Sequence, residues 1–77
     1  MREIRIPKLG LDTLECDVRG WLVELGGIVM RGAPLLEVES EKAIIAIDAE
    51  VTGTLREIRA AAGQTVPVGA IVGVIEE

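Results

Sequence analysis

Hydrophobic and polar residues alternate with a period of two along Glu3 to Ile6, Leu35 to Glu39, Ala43 to Asp48, Thr54 to Arg59 and Ile71 to Glu76. Successive side chains of a strand point to opposite faces, so these segments read as half-buried β-strands. Glycine pairs and prolines punctuate them, as turns require. The segment Val-Arg-Gly-Trp-Leu (18 to 22) also reads as a strand. Helix has little support: "RAAAG" (59 to 63) has helical propensity but falls far short of the roughly 12 residues an isolated helix needs. It reads as a strand end entering a turn. The pattern therefore predicts an all-β domain over residues 1–77, its short strands arranged in two sheets that face each other across an aliphatic core.

The chain also repeats. "GGIVMRGAPLLEVE" (26 to 39) aligns without gaps on "GQTVPVGAIVGVIE" (63 to 76), an offset of 37 residues. Gly26 matches Gly63, Val29 matches Val66, Gly32 matches Gly69, Ala33 matches Ala70 and Glu39 matches Glu76. Each copy reads as glycine turn, short apolar segment, glycine turn and strand, so two quasi-equivalent halves are expected.

Composition narrows the function classes. A chain of 77 residues buries roughly 60% of the surface its unfolded form exposes, enough for one thin core. With one aromatic residue, Trp21, and no histidine, that core must be built from Val, Ile, Leu and Ala. The net charge of −5, with no block of basic residues, argues against nucleic acid as a partner. The longest mostly apolar run, "PVGAIVGVI", is about half of the roughly 20 residues a helical bilayer span needs. "MREIRIPKL" lacks the apolar core of a signal peptide. The single cysteine, Cys16, can form no intrachain disulfide and reads as a small buried hydrophobe. A cytoplasmic setting is the expectation, or the mitochondrial matrix in a eukaryote. No metal-ligand cluster and no catalytic residue stands out.

One turn carries the chemical interest. In "LLEVESEKAIIAID" (35 to 48), Leu36 and Val38 share one face while Glu37 and Glu39 share the other, and Ser40-Glu41-Lys42 forms the turn into the next strand. Lys42 then projects into water from a rigid platform. Glu39 and Glu41 favour its charged ammonium form, the opposite of what a Schiff-base or general-base lysine requires. Lys42 is thus a poor catalyst and a good acceptor for a group that another enzyme attaches. By itself, a lysine between glutamates is an ordinary solvated residue.

The ordered set of motifs adds what the local chemistry lacks. "IPKLG" (6 to 10), "WLVELG" (21 to 26), "GAPLLEVE" (32 to 39), Glu41-Lys42-Ala43, "VTGTLREI" (51 to 58) and "GQTVPVGAIVGVI" (63 to 75) follow one another as in lipoyl domains. From Ile4 to Ile75 the chain resembles the lipoyl domain of dihydrolipoyl acyltransferases of 2-oxo acid dehydrogenase complexes, within the biotinyl/lipoyl-attachment family. The resemblance implies a flattened barrel of two four-stranded antiparallel sheets with quasi-twofold symmetry, a barrel-sandwich hybrid. It implies lipoic acid in amide linkage on Lys42, with Glu41 and Ala43 completing the recognition turn. It also implies a non-catalytic carrier, itself monomeric. Its implied partners are a lipoate ligase or lipoyl transferase, a thiamin diphosphate-dependent decarboxylase, an acyltransferase core and a dihydrolipoyl dehydrogenase. "IPKLG" leans toward a pyruvate or acetoin system.

Three positions depart from the family's usual pattern. Cys16 replaces a glycine, as its repeat partner Gly53 shows, and would be strained if that slot demands a positive φ. Gly26-Gly27 and Gly63-Gln64 replace the usual Gly-Asp, and the loop "GLDTLECD" (10 to 17), which in relatives lies near the lipoyl turn and helps partner enzymes recognise the domain, follows the family only loosely. Two rivals share the fold. A biotinyl carrier has its lysine between methionines, whereas Lys42 lies between Glu41 and Ala43, and an unmodified module of an efflux adaptor would carry nothing.

Overall fold

A computed structural model describes residues 1–77. Eight strands follow in chain order: β1 (Arg2–Arg5), β2 (Glu15–Trp21), β3 (Ile28–Val29), β4 (Pro34–Glu39), β5 (Ile44–Asp48), β6 (Gly53–Ile58), β7 (Thr65–Pro67) and β8 (Ile71–Glu76). They form two four-stranded antiparallel sheets, ordered β1-β8-β6-β3 and β5-β4-β2-β7, in a body of 33 × 21 × 17 Å. No helix forms. The all-β sandwich expected from the pattern is the fold. The alternation marked β1, β4, β5, β6 and β8, while β2 was read separately over 18 to 22 and runs over Glu15–Trp21. β3 and β7, two and three residues long, are too short to show a period.

The two halves superpose residue by residue in their hydrogen bonding. β2 and β4 pair Asp17 with Glu39 and Val18 with Val38, while β6 and β8 pair Thr54 with Glu76 and Leu55 with Ile75, each position shifted by 37. Both ladders carry a bulge at the same step, between Val18 and Gly20 and between Leu55 and Glu57. The cross-links between halves are reciprocal as well: Gly26 N–H donates to Leu55 C=O at 2.8 Å, and Gly63 N–H donates to Val18 C=O at 2.8 Å. The glycines of the repeat have a conformational reason. Gly26, Gly63, Gly32 and Gly69 take φ of 86°, 93°, 85° and 90°, where a Cβ would crowd the backbone.

The core lies between the sheets and is aliphatic. Ile6, Val18, Val29, Leu35, Leu36, Val38, Leu55, Val72 and Ile75 are all at most 1% exposed. Trp21 packs at the edge of this cluster, and its indole N–H donates to Ala60 C=O at 2.8 Å, satisfying the polar end of a half-buried ring. No buried side-chain polar atom lacks a partner. Cys16 is 2% exposed and belongs to the core, as expected of a free thiol.

The conditional expectation that the Cys16 slot needs a positive φ is corrected. Neither Cys16 nor its partner Gly53 has one. Gly53 is required for space, since a Cβ there would sit 2.3 Å from the carbonyl oxygen of Glu76. The two halves have diverged at this slot, one filling it with a side chain and the other with a close backbone approach.

Candidate functional site

The β4–β5 hairpin places Lys42. β4 buries Leu36 and Val38 and turns Glu37 and Glu39 outward, and β5 returns with Ile47 buried and Ala46 facing water. Glu39 pairs with Ile44, so four residues, Ser40 to Ala43, join the strands. Glu41, Lys42 and Ala43 are all exposed, with Glu41 and Lys42 at the two central positions. Lys42 makes no ion pair and no side-chain hydrogen bond. Its Nζ therefore has no protein partner to displace before another molecule takes it.

The turn is closed partly by a side chain. Ser40 N–H donates to Ala43 C=O at 2.8 Å. Ala43 N–H donates to the Ser40 hydroxyl at 3.3 Å, and that hydroxyl lies 3.2 Å from Ala43 C=O. The role of Ser40 escaped the sequence reading, although a serine two positions before the lysine at a turn entry is the available signal.

Beside the turn lies a groove of about 620 Å³, lined by Asp12, Glu15, Asp17, Glu39 and Glu41 together with Thr13, Leu14, Cys16, Ser40 and Thr65. The expected loop over 10 to 17 is corrected at its end, since Glu15 to Asp17 pair with β7 and open β2, three residues before the expected strand start at Val18. The segment from Asp12 to Asp17 borders the lysine turn, where the resemblance placed it. Of the carboxylates, Glu39 is paired to Arg19 at 3.1 Å, and Asp17 accepts a 2.6 Å hydrogen bond from the Thr65 hydroxyl. The others line a strongly negative surface. Beneath them the Cys16 thiol is pushed up from its ordinary value, first by burial and then by the charge of Asp17. It is thereby held neutral and poorly nucleophilic.

The groove therefore contains no nucleophile activated by a base, and no group of histidine, cysteine and carboxylate side chains is arranged to hold a metal. What the geometry offers is presentation: a single amine carried on a rigid two-strand platform at the margin of a small sandwich. Such an arrangement is what a carrier module modified on a lysine would require.

Comparison with known proteins specifies the class further. The chain belongs to the biotin–lipoyl family, described as "Biotin-requiring enzyme", whose sequence pattern matches residues 2–75. It is 39% identical over 77 residues to the dihydrolipoyllysine-residue succinyltransferase component of the 2-oxoglutarate dehydrogenase complex of Bacillus subtilis, covering 100% of this chain and 18% of that protein. Against the dihydrolipoyllysine-residue acetyltransferase component of the acetoin cleaving system of Cupriavidus necator it is 43% identical over 72 residues, covering 94% of this chain and 19% of the relative. The chain thus spans about a fifth of the length of these relatives. The solution structure of the lipoyl domain of the 2-oxoglutarate dehydrogenase complex from Azotobacter vinelandii superposes with a TM-score of 0.81 at 26% identity, over 100% of this chain and 98% of that one. The chain is a lipoyl domain of the acyltransferase type, a non-catalytic carrier module, and domains of this kind carry lipoic acid covalently on a lysine.

Proposed function

We propose that Lys42 is the lysine that carries lipoic acid, and that the domain shuttles acyl groups and electrons among the active sites of a 2-oxo acid or acetoin dehydrogenase complex. The observation that carries this reading is the position of Lys42, exposed at the tip of the β4–β5 hairpin with no partner for its amine. The amine fits an amide-linked cofactor: after losing a proton, Nζ forms a C–N bond to an activated lipoyl carboxyl as the activating group departs. That acylation removes one positive charge, −5 less 1, giving a formal net charge of −6. When attached, lipoate supplies a dithiolane that accepts an acyl group with two electrons and yields them in separate sites.

The chain's own contribution is to hold the attachment point. Glu41 and Ala43 flank the lysine and are the residues a lipoate ligase or lipoyl transferase would read with it. The strands on both sides keep the amine at a fixed distance from the body, so the arm alone explores solution and its effective concentration at each partner is set by tether length. The partners on this reading are a thiamin diphosphate-dependent decarboxylase, an acyltransferase core and a dihydrolipoyl dehydrogenase. The relatives belong to 2-oxoglutarate and acetoin systems, which supports the class of complex rather than one acyl group.

The test is incubation of wild type and Lys42→Ala with lipoate ligase, ATP and lipoate, followed by intact mass and by reductive acylation against a panel of decarboxylases. The expected result is one lipoyl adduct on wild type and none on Lys42→Ala, with one decarboxylase preferred. A wild-type chain that stays unmodified, or takes biotin from a biotin ligase instead, contradicts the proposal.

A further inference from the structure

The lysine turn is closed in part by a side chain. Four residues join Glu39 to Ile44, and hairpin loops of that length are most often built around an unprimed turn, whose central residues have negative φ. Neither Glu41 nor Lys42 has a positive φ. The strands stay paired up to Glu39 and Ile44, and beyond that pair the backbone makes only half of the closing pair. Ser40 N–H reaches Ala43 C=O at 2.8 Å, but Ala43 N–H has no backbone acceptor.

The Ser40 side chain fills the gap. Its hydroxyl accepts from Ala43 N–H at 3.3 Å and lies 3.2 Å from Ala43 C=O, a pairing that a group with one donor and two acceptor sites can make in both directions. Ser40 is also half-buried, whereas Glu41, Lys42, Ala43 and Ile44 are exposed. No other side chain is hydrogen-bonded to the turn. The segment that carries Lys42 is therefore held by one backbone hydrogen bond and one hydroxyl.

We propose that Ser40 is a positioning residue for the modification of Lys42, its hydroxyl clipping the turn into the conformation from which the acylating enzyme takes the amine. The inference rests on the reading of Lys42 as the attachment site. Without the clip, Ala43 N–H turns to water and the turn samples open forms. An enzyme that binds only the closed turn then sees a smaller competent fraction, and its apparent affinity falls by that fraction. The amine is chemically unchanged, so the loss falls on KM rather than kcat.

The experiment compares wild type, Ser40→Ala and Ser40→Thr as substrates of lipoate ligase with ATP and lipoate, alongside amide hydrogen exchange on each chain before modification. Ser40→Ala is expected to lower kcat/KM about five- to tenfold, the effect of losing one to two neutral hydrogen bonds, mostly through a raised KM. Exchange at the Ala43 amide should accelerate by a similar factor. Exchange at the Val18 and Leu55 amides, which donate to Gln64 and Gly27 across the sandwich, should stay as in wild type. Ser40→Thr keeps the hydroxyl and should restore most of the rate. A wild-type rate in Ser40→Ala overturns the inference, and so does a slow Ser40→Thr or an acceleration of exchange throughout the core. Failure of wild type itself to be modified is a separate outcome, because it removes the reading of Lys42 before Ser40 is in question.

Discussion

The two ends of the sandwich are built from the same ladder and finished differently. At one end β4 turns into β5 through Ser40, Glu41, Lys42 and Ala43. At the symmetry-related end β8 stops at Glu76 and β1 begins at Arg2, with Arg2 paired to Ile75 but no covalent turn between the strands. The edge strands beside them differ too. Thr65 and Pro67 of β7 border the lysine end, whereas their counterparts on β3 and just after it are Ile28 and Met30, 74% and 58% exposed. Two regions with one backbone thus carry unlike surfaces, one acidic and the other of mixed charge with exposed Ile28 and Met30 on its edge strand. The hydrogen-bond ladder specifies the platform, and the chemistry is placed on it independently.

The largest expected effect comes from exchanging the two ends. Four residues connect Glu39 to Ile44, and Glu77 with three added residues would connect Glu76 to Met1 in the same way. A circular permutant with that three-residue linker, opened between Lys42 and Ala43, should fold with the wild-type circular dichroism spectrum and lose lipoylation by intact mass. Unfolding of the permutant would show that the hairpin is needed for the fold itself, and full lipoylation would show that the closed turn is not what the ligase reads.

The slot shared by Cys16 and Gly53 gives the next effect. Gly53→Ala drives a Cβ into the Glu76 carbonyl and should destabilise by about 2–3 kcal/mol, in the range of overpacked positions. Cys16→Ala removes only a sulfur from the core and should cost about 1 kcal/mol, close to one buried methylene. Urea denaturation measures both, and equal losses would mean that the halves have not diverged at this slot.

Smaller still, Gly26→Ala and Gly63→Ala meet no neighbouring atom within 4 Å and differ from wild type only in backbone strain at positive φ. Each should cost about 1–2 kcal/mol, and the two values should agree closely if the halves are equivalent. A difference of more than about 1 kcal/mol between them, well beyond the scatter of independent sites, would break the symmetry at its turns.

The weakest effect is the pH dependence of Cys16, which has no counterpart at Gly53. Its thiol titrates above the ordinary value in the folded chain because of burial and then of Asp17. The unfolded chain therefore loses that proton first, and binds fewer protons than the folded one in the intervening window. Stability from this source is complete below the ordinary thiol value near pH 8.5 and declines as pH rises above it. Urea midpoints at pH 7 and pH 9.5 should fall more for wild type than for Cys16→Ala, and the thiol of the native chain should react slowly with iodoacetamide at pH 7.

Much of this was legible in the sequence. The strands β1, β4, β5, β6 and β8 followed from two-residue alternation, the halves from the repeat at 37 residues, and the lysine turn from its place between two apolar strands. Cys16 was placed in the core by its chemistry alone. The short strands β3 and β7 were not legible, because two or three residues cannot display a period and their strand character comes from pairing with Gly53–Thr54 and Glu15–Asp17. Nor was the reason for Gly53, which is a contact with Glu76 some 23 residues away.

The sequence by itself determined the alternation, the repeat, and the single lysine set between Glu41 and Ala43, since these depend on local side-chain order. Tertiary structure alone decided that five carboxylates, from Asp12, Glu15, Asp17, Glu39 and Glu41, share one groove beside the lysine turn. It also decided that the Ser40 hydroxyl closes the turn. Those relations arise when strands distant in sequence are brought into register, and the register is fixed by the aliphatic core between the sheets.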